Sequence, residues 1–110
     1  MTKITSIDIR GIPYTISYVS AEELEDPLYK GPEMIIHGDC NSLERHIRIL
    51  KTLDSDKMFA TLLHEVIHGI WATDGRSEEW SEKREESLTV AMECGIVSTM
   101  PKLIEAYKGK

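Results

Sequence analysis

The first twenty residues alternate hydrophobic and polar positions in the way that half-buried strands do. The stretch KITSIDIRG carries isoleucine at imperfectly alternating positions, and YTISYVS places Tyr14, Ile16 and Tyr18 on one face. Gly and Pro interrupt regular strands, so the Gly11-Ile12-Pro13 break predicts a turn between the two. Residues 20–33 predict one helical turn followed by an irregular connection rich in Pro and Gly.

A β-hairpin is predicted for residues 34–50. Met34 to His37 would form one strand, the polar segment from Gly38 to Arg45 the loop, and His46 to Leu50 the second strand. In the second strand Ile47 and Ile49 share a face, because side chains alternate between the two faces of a sheet.

A long helix is predicted next. Asp54 or Ser55 can cap its start by accepting hydrogen bonds from free backbone N–H groups. Gly75 is predicted to end it. Apolar residues recur between these points at three- and four-residue spacing, which is typical of a helix central to a core. They are Phe59, Leu62, Leu63, Val66, Ile67, Ile70 and Trp71.

A second helix is predicted from about Ser77 to Thr99, with Pro101 stopping it because proline lacks the N–H that a helix needs. Its inward face would carry Leu88, Ala91, Met92 and Gly95. A short helical segment from Lys102 to Tyr107 would follow. The pattern predicts an α+β fold in which a small, mostly antiparallel sheet packs on a central helix and a second helix runs antiparallel to the first.

Composition limits both the architecture and the partners. A chain of 110 residues is long enough for one domain with a real core, covering residues 1–110. The net charge of −6 disfavours nucleic-acid binding, which needs clustered cations. No stretch has the apolar length of a signal peptide or membrane span, so a cytoplasmic protein without a membrane role is expected. Cys40 and Cys94 are expected to be free thiols, with Cys94 buried in a helix.

The chemistry of the sequence is concentrated in TLLHEVIHGIW, residues 61–71. His64 and His68 are one helical turn apart, so both imidazoles lie on the same face and can bind one zinc ion. Glu65 lies about 100° round the helix from His64, beside the ion rather than in an ideal ligand position. An ordinary buried helix is the alternative, but it would have to desolvate three polar side chains with no common partner.

The HEVIH motif on a core helix, with the strand RHIRIL before it and an acidic helix after it, resembles the zincin metallopeptidases. Within them the chain is similar to the class with a glutamate as third ligand, especially to the compact ImmA/IrrE-like and SprT-like proteins common in phages and mobile elements. The likeness covers about Met34 to Met100. It implies a zinc-dependent metallopeptidase of narrow specificity that hydrolyses a peptide or protein substrate, with Glu65 as the general base.

A third metal ligand must come from elsewhere, because HEVIHGIWATDG lacks the third histidine of the metzincins. The following helix offers carboxylates in SEEWSEKREESLTV. Glu86 is preferred, since it precedes the apolar positions of that helix and matches the place of the ligand in the glutamate zincins. Glu85 is the alternative.

The resemblance also implies a substrate strand and an oxyanion stabiliser. The strand His46 to Leu50 would be the edge strand that pairs with an extended peptide. His37, His46 and Tyr107 are the candidates for stabilising the oxyanion, and the sequence does not choose among them. A catalytically idle zinc-binding module for interaction or regulation is the alternative function. The oligomeric state is not indicated.

Overall fold

The computed structural model of the protein describes residues 3–24 and 36–108. Its four-stranded sheet contains β1 (Ser6–Ile9), β2 (Ile12–Val19), β3 (Gly38–Asn41) and β4 (His46–Leu50). The helices are α1 (Ser55–Thr73), α2 (Arg76–Glu79) and α3 (Glu82–Lys108), and a 3-10 turn spans Glu22–Leu24. The predicted α+β class is confirmed. Within the described ranges, no helix combines the length and the apolar character that crossing a bilayer requires.

The first hairpin turns one residue earlier than predicted. Arg10 and Gly11 both have positive φ, 52° and 84°, which is the backbone that a two-residue hairpin loop needs. Ile12 and Pro13 were predicted to lie in the break, but they open β2 and pair with Ile9 and Asp8. Proline is tolerated there because it is at the start of the strand.

The second hairpin is also displaced from its prediction. β4 spans His46–Leu50 as predicted, and Ile47 and Ile49 are fully buried. The first strand, however, is Gly38–Asn41, inside the predicted loop. Of the strand predicted at residues 34–37, Ile36 and His37 are irregular, and Met34 and Ile35 lie outside the described residues. The side chain of Asn41 accepts two backbone N–H bonds from residues 43 and 44, both at 3.1 Å, and so closes a shorter loop.

The order of the strands is β1-β2-β4-β3. β1 with β2, and β3 with β4, form antiparallel pairs, whereas β2 and β4 are parallel. The prediction that His46 to Leu50 is an edge strand is therefore wrong, because β4 has a neighbour on both sides. The edge strand on that side of the sheet is β3.

The core lies between the inner face of the sheet and α1. Its buried residues on the strands are Ile9, Tyr14, Ile16, Ile47 and Ile49. Met58, Leu62, Val66 and Ile70 pack on them from α1. The opposite side of α1 contacts α3, so α1 is covered on two sides. This arrangement fixes the rotation of α1 about its axis and with it the direction of its polar side chains.

Asp54 caps α1 as predicted, and its side chain accepts the backbone N–H of Lys57 at 2.9 Å. Phe59 was predicted to be part of the apolar face of α1, but it is 60% exposed. Phe59 lies about 100° from Met58 around the helix, and the sheet lies on the Met58 side.

The second predicted helix is divided and longer than expected. Trp80 has extended backbone (φ −103°, ψ 149°) and separates α2 from α3. Its ring packs edge-on against Trp71, with ring centroids 5.1 Å apart. α3 continues through Pro101 to Lys108, so the prediction that Pro101 stops the helix is wrong. Proline removes one N–H bond, and the strong helix formers that follow it, Leu103 and Ala106 among them, continue the helix.

The inward face of α3 also differs from the prediction. Ala91, Met92 and Gly95 are exposed, and of the predicted set only Leu88 is half-buried. The residues that face α1 are instead largely polar, with Thr89 fully buried. Cys94 is exposed rather than buried, although both cysteines are free thiols as predicted. Contacts with polar groups on α1 decide the rotation of α3.

Gly38 lies where β3, β4 and α1 meet, and Gly38→Ala is expected to destabilise the protein. A Cβ there would lie 2.8 Å from the carbonyl oxygen of Arg48 and 2.9 Å from Cγ2 of Thr61. Relieving these clashes requires a shift of backbone, so we expect a loss of about 1–3 kcal/mol in the free energy of unfolding.

Gly95→Ala is the matched control for a denaturant titration. Nothing lies within 4 Å of a Cβ at this exposed helical position. The substitution should stabilise the protein by up to about 1 kcal/mol, because alanine favours helix more than glycine does. Equal stability of Gly38→Ala and the native protein would contradict the close approach of β3.

Candidate metal centre

His64 and His68 lie on the side of α1 that faces α3 and an open cleft. Their side chains are 17% and 18% exposed, and their ring centroids are 5.0 Å apart. Thr61 lies on the same strip of α1 and lines the cleft with them. The four-residue spacing therefore places two partly shielded imidazoles together.

The carboxylate of Glu86 faces both rings. Its Oε1 lies 2.8 Å from Nε2 of His64, and its Oε2 lies 3.0 Å from Nε2 of His68. In the part of the chain that the structure describes, His64, His68 and Glu86 form a group whose ligand atoms all lie within 4.8 Å of one another. This group could hold a metal ion.

The other nitrogen of each ring faces a different carboxylate. Nδ1 of His64 lies 2.8 Å from Oε1 of Glu93, and Nδ1 of His68 lies 2.5 Å from Oε2 of Glu85. Glu85, the alternative third ligand, thus contacts the nitrogen that points away from the group. Of the two alternatives, only Glu86 faces both Nε2 atoms.

The donor atoms of this group fit a cation. Each Nδ1 can donate its hydrogen to Glu85 or Glu93, which leaves each Nε2 as a lone pair directed at the Glu86 carboxylate. Three electron-rich groups around one point need a positive charge between them, either a proton or a metal ion. Ligands bonded at 2.0–2.1 Å to a tetrahedral ion are about 3.3 Å apart, so the two contacts between Glu86 and the Nε2 atoms would open by only a few tenths of an ångström around an ion.

Thr89 lies buried at the contact between α1 and α3. Its hydroxyl donates to the carbonyl of Glu85 at 2.7 Å and accepts the indole N–H of Trp71 at 3.1 Å. The side chain is fully buried. This contact connects the helix of the histidines to the helix of the carboxylates, one turn from Glu85 and one turn from Glu93.

No role was predicted for Thr89 or Glu93 from the sequence. Both belong to a polar series at four-residue spacing with Glu85, which is a signal in the sequence for a single helix face. The apolar residues Leu88, Ala91 and Met92 form a second series, which lies on a neighbouring face of the helix. The apolar series therefore predicted the wrong inward face for α3.

Glu65 is buried beside the two histidines. It is 7% exposed, and desolvation raises the pKa of its carboxyl from 4.5 to about 7. The nearby imidazoles of His64 and His68 lower that pKa, while Asp39 and Glu86 raise it further. A carboxyl that titrates near neutrality is suited to accept and release protons.

The raised pKa of Glu65 has a consequence for stability. In metal-free protein the folded state holds the proton on Glu65 up to about pH 7, and the unfolded state releases it near pH 4.5. Stability from this group is therefore complete at low pH and is lost as pH rises through 7. Glu65→Gln cannot ionise, so it should exceed the native protein in free energy of unfolding by up to about 3 kcal/mol at alkaline pH.

Urea titrations of metal-free protein at about pH 4 and about pH 8 measure this difference. The other titrating groups are common to both proteins, so subtraction isolates Glu65. A difference between the two proteins that does not grow with pH would contradict the burial of the charged carboxyl.

The group lies in a cleft of about 840 Å³ between β3, α1 and α3. The lining in the described ranges includes six carboxylates and one lysine, Lys57, which favours a cation. β3 contributes Gly38, Asp39 and Cys40. Burial and nearby carboxylates, including Glu65, raise the pKa of the Cys40 thiol to about 12. Cys40 therefore remains a neutral thiol beside the group.

The three candidates for oxyanion stabilisation lie in different places. His37 lines the cleft. The ring of His46 points to the outer face of the sheet, where Nε2 lies 2.7 Å from the hydroxyl of Ser17. Tyr107 is 71% exposed and lies about 31 Å beyond Glu86 along α3 at the usual helical rise. Of the three, only His37 is at the cleft.

The comparisons with known proteins add no assignment to this geometry. No protein-family model, no curated protein and no solved structure matches the chain.

Proposed function

We propose that the protein is a zinc-dependent peptidase of the glutamate-ligand zincin type, with His64, His68 and Glu86 as the metal ligands. The observation that carries this proposal is that the Nε2 atoms of both histidines face one Glu86 carboxylate, at 2.8 and 3.0 Å, beside the buried Glu65. The HEVIH motif supplies the histidines and the buried glutamate from one helix, and α3 supplies the third donor.

Zinc is the metal that this donor set favours. Two imidazoles and one carboxylate are a ligand set of catalytic zinc sites, which keep one position open for water or substrate. When bound, zinc acts as a Lewis acid that lowers the pKa of water at the site and polarises a carbonyl. The open cleft in front of the three ligands gives a peptide access to this position.

Glu65 acts as the general base in the proposed reaction. Its carboxylate takes a proton from the water that attacks the peptide carbonyl, and it then gives this proton to the nitrogen of the leaving amine. Burial raises the pKa of Glu65 above that of an exposed glutamate, which makes its carboxylate a stronger base for the first step. His64, His68 and Glu86 hold the metal while Glu65 moves the proton.

An extended peptide is the substrate that the cleft favours. β3 borders the cleft and pairs with β4 on one side; among the described strands it has no neighbour on its other side. Such an edge offers backbone N–H and C=O groups to an added strand. We therefore assign to β3 the substrate pairing that the sequence analysis expected of His46 to Leu50.

A catalytically idle zinc-binding module is the second candidate. It is favoured by the last turns of α3, where large apolar side chains are exposed. They include Met100, Leu103 and Ile104, which are 43%, 49% and 47% exposed. Exposed apolar side chains of this kind are typical of surfaces that bind other proteins.

The two candidates are separated by assaying one protein in two states. Metal-free and zinc-loaded protein are incubated with a library of unstructured peptides, and the products are identified by mass spectrometry. We expect one bound zinc per chain and cleavage by the loaded form alone. One bound zinc without cleavage of any peptide would favour the binding module, and absence of zinc binding would contradict both candidates.

A further inference from the structure

We propose that Glu85 and Glu93 are positioning residues that fix the two histidine ligands through their Nδ1 atoms and thereby set the metal affinity. This inference rests on the proposed metal site and adds two residues that are not themselves ligands. The geometry points to it because each imidazole contacts a carboxylate at both ring nitrogens.

The two contacts have the short distances of charge-assisted hydrogen bonds. Oε1 of Glu93 lies 2.8 Å from Nδ1 of His64, and Oε2 of Glu85 lies 2.5 Å from Nδ1 of His68. A carboxylate can only accept, so each Nδ1 carries a hydrogen. The positive charge between Nε2 and Glu86 is a proton or a metal ion, and when it is a metal ion Nε2 is the ligand atom. The two glutamates thus select the tautomer that a metal at Glu86 requires.

Both carboxylates are held more rigidly than a surface glutamate. The side chains of Glu85 and Glu93 are 17% and 23% exposed, whereas that of Glu86 is 54% exposed. The buried hydroxyl of Thr89 lies between them on the same face and donates to the backbone of Glu85. Glu85 and Glu93 consequently keep the rings in place while the more exposed Glu86 remains free to adjust to the ion.

The carboxylates that contact the two histidines lie at different positions along α3. Glu85 and Glu86 are adjacent, so they approach the two nitrogens of His68 from different sides. Glu93 is two turns further on and reaches His64, which is one turn earlier in the antiparallel α1. A single helix therefore supplies one ligand and both outer partners.

Zinc affinity measured by competition with a chromophoric chelator tests this role. Glu85→Gln and Glu93→Gln should each weaken zinc binding by about 10- to 100-fold, because the outer carboxylates orient the rings and make them more basic. Glu82→Gln is the matched control, since Glu82 lines the same cleft on the same helix and the charge change is equal. We expect Glu82→Gln to bind zinc within about threefold of the native protein.

The Nδ1–H resonances of the zinc-loaded protein give a readout that a general loss of stability would not change. In the native protein, 15N-edited spectra should show a hydrogen on Nδ1 of both His64 and His68. In Glu93→Ala the His64 resonance should be lost to exchange with water while that of His68 persists, and Glu85→Ala should show the reverse. Glutamine variants guard against failure to fold, because they retain the shape of the side chain.

The outcomes separate this inference from the proposed function. If the native protein binds no zinc, both are overturned. If it binds one zinc and Glu85→Gln and Glu93→Gln bind it as tightly as Glu82→Gln, only the positioning role is overturned. Hydrogens found on the Nε2 atoms of zinc-loaded protein would also overturn it.

Discussion

Glu65→Gln is expected to reduce peptide hydrolysis by about 10²- to 10⁴-fold while one zinc remains bound. The amide is close in size to the carboxyl but cannot accept a proton, so the metal ligands keep their positions and the base is lost. Glu65 is 7% exposed and lies beside both histidines. A water molecule from the solvent would therefore replace it poorly as a base. The measurement is the rate constant kcat on one cleaved peptide, together with the zinc content.

Glu82→Gln serves as the control for this variant because it removes one carboxylate from the same cleft. Its kcat should remain within a few-fold of that of the native protein. Full activity of Glu65→Gln would contradict the role of Glu65 as general base, and loss of zinc from that variant would mean that Glu65 is needed for the metal site instead.

Glu86→Ala is expected to lose more zinc affinity than any variant of an outer carboxylate, so by more than about 100-fold. The substitution removes the carboxylate that faces Nε2 of both histidines. Chelator competition on Glu86→Ala and Glu85→Ala distinguishes the two alternatives for the third ligand. A greater loss of affinity in Glu85→Ala than in Glu86→Ala would contradict the assignment of Glu86.

Much of α1, including the placement of its two histidines on one face, could be predicted from local pattern. The apolar spacing, the Asp54 cap and the interval between His64 and His68 all follow from helical periodicity and from side chains near in sequence. The same holds for β4, in which Ile47 and Ile49 alternate with half-exposed residues. These features depend on neighbours within a few positions.

The strand order could not be predicted in this way. β4 becomes an interior strand because it pairs in parallel with β2, from Thr15 with His46 to Val19 with Leu50. The two strands are separated in sequence by residues 20–45, and their own alternation fits an edge position equally well. The edge strand is therefore β3 rather than β4 because of a pairing between residues far apart in the sequence.

The rotation of α3 is a second feature that local hydrophobicity predicts wrongly. Its apolar residues favour turning Ala91 and Met92 inward, yet the face toward α1 carries Glu85, Thr89 and Glu93. Hydrogen bonds to Trp71, His64 and His68 favour this rotation, since those polar groups on α1 would otherwise be buried without partners. The partners on α3 can be recognised only once the direction of the polar face of α1 is known.

Anomalous diffraction from crystals of the zinc-loaded protein, recorded at the zinc absorption edge, tests the central claim most directly. The account predicts one peak per chain, bonded to Nε2 of His64, Nε2 of His68 and the carboxylate of Glu86, at about 2.0–2.2 Å from each. A zinc peak at other side chains, or no peak in crystals grown from protein with stoichiometric zinc, would contradict it.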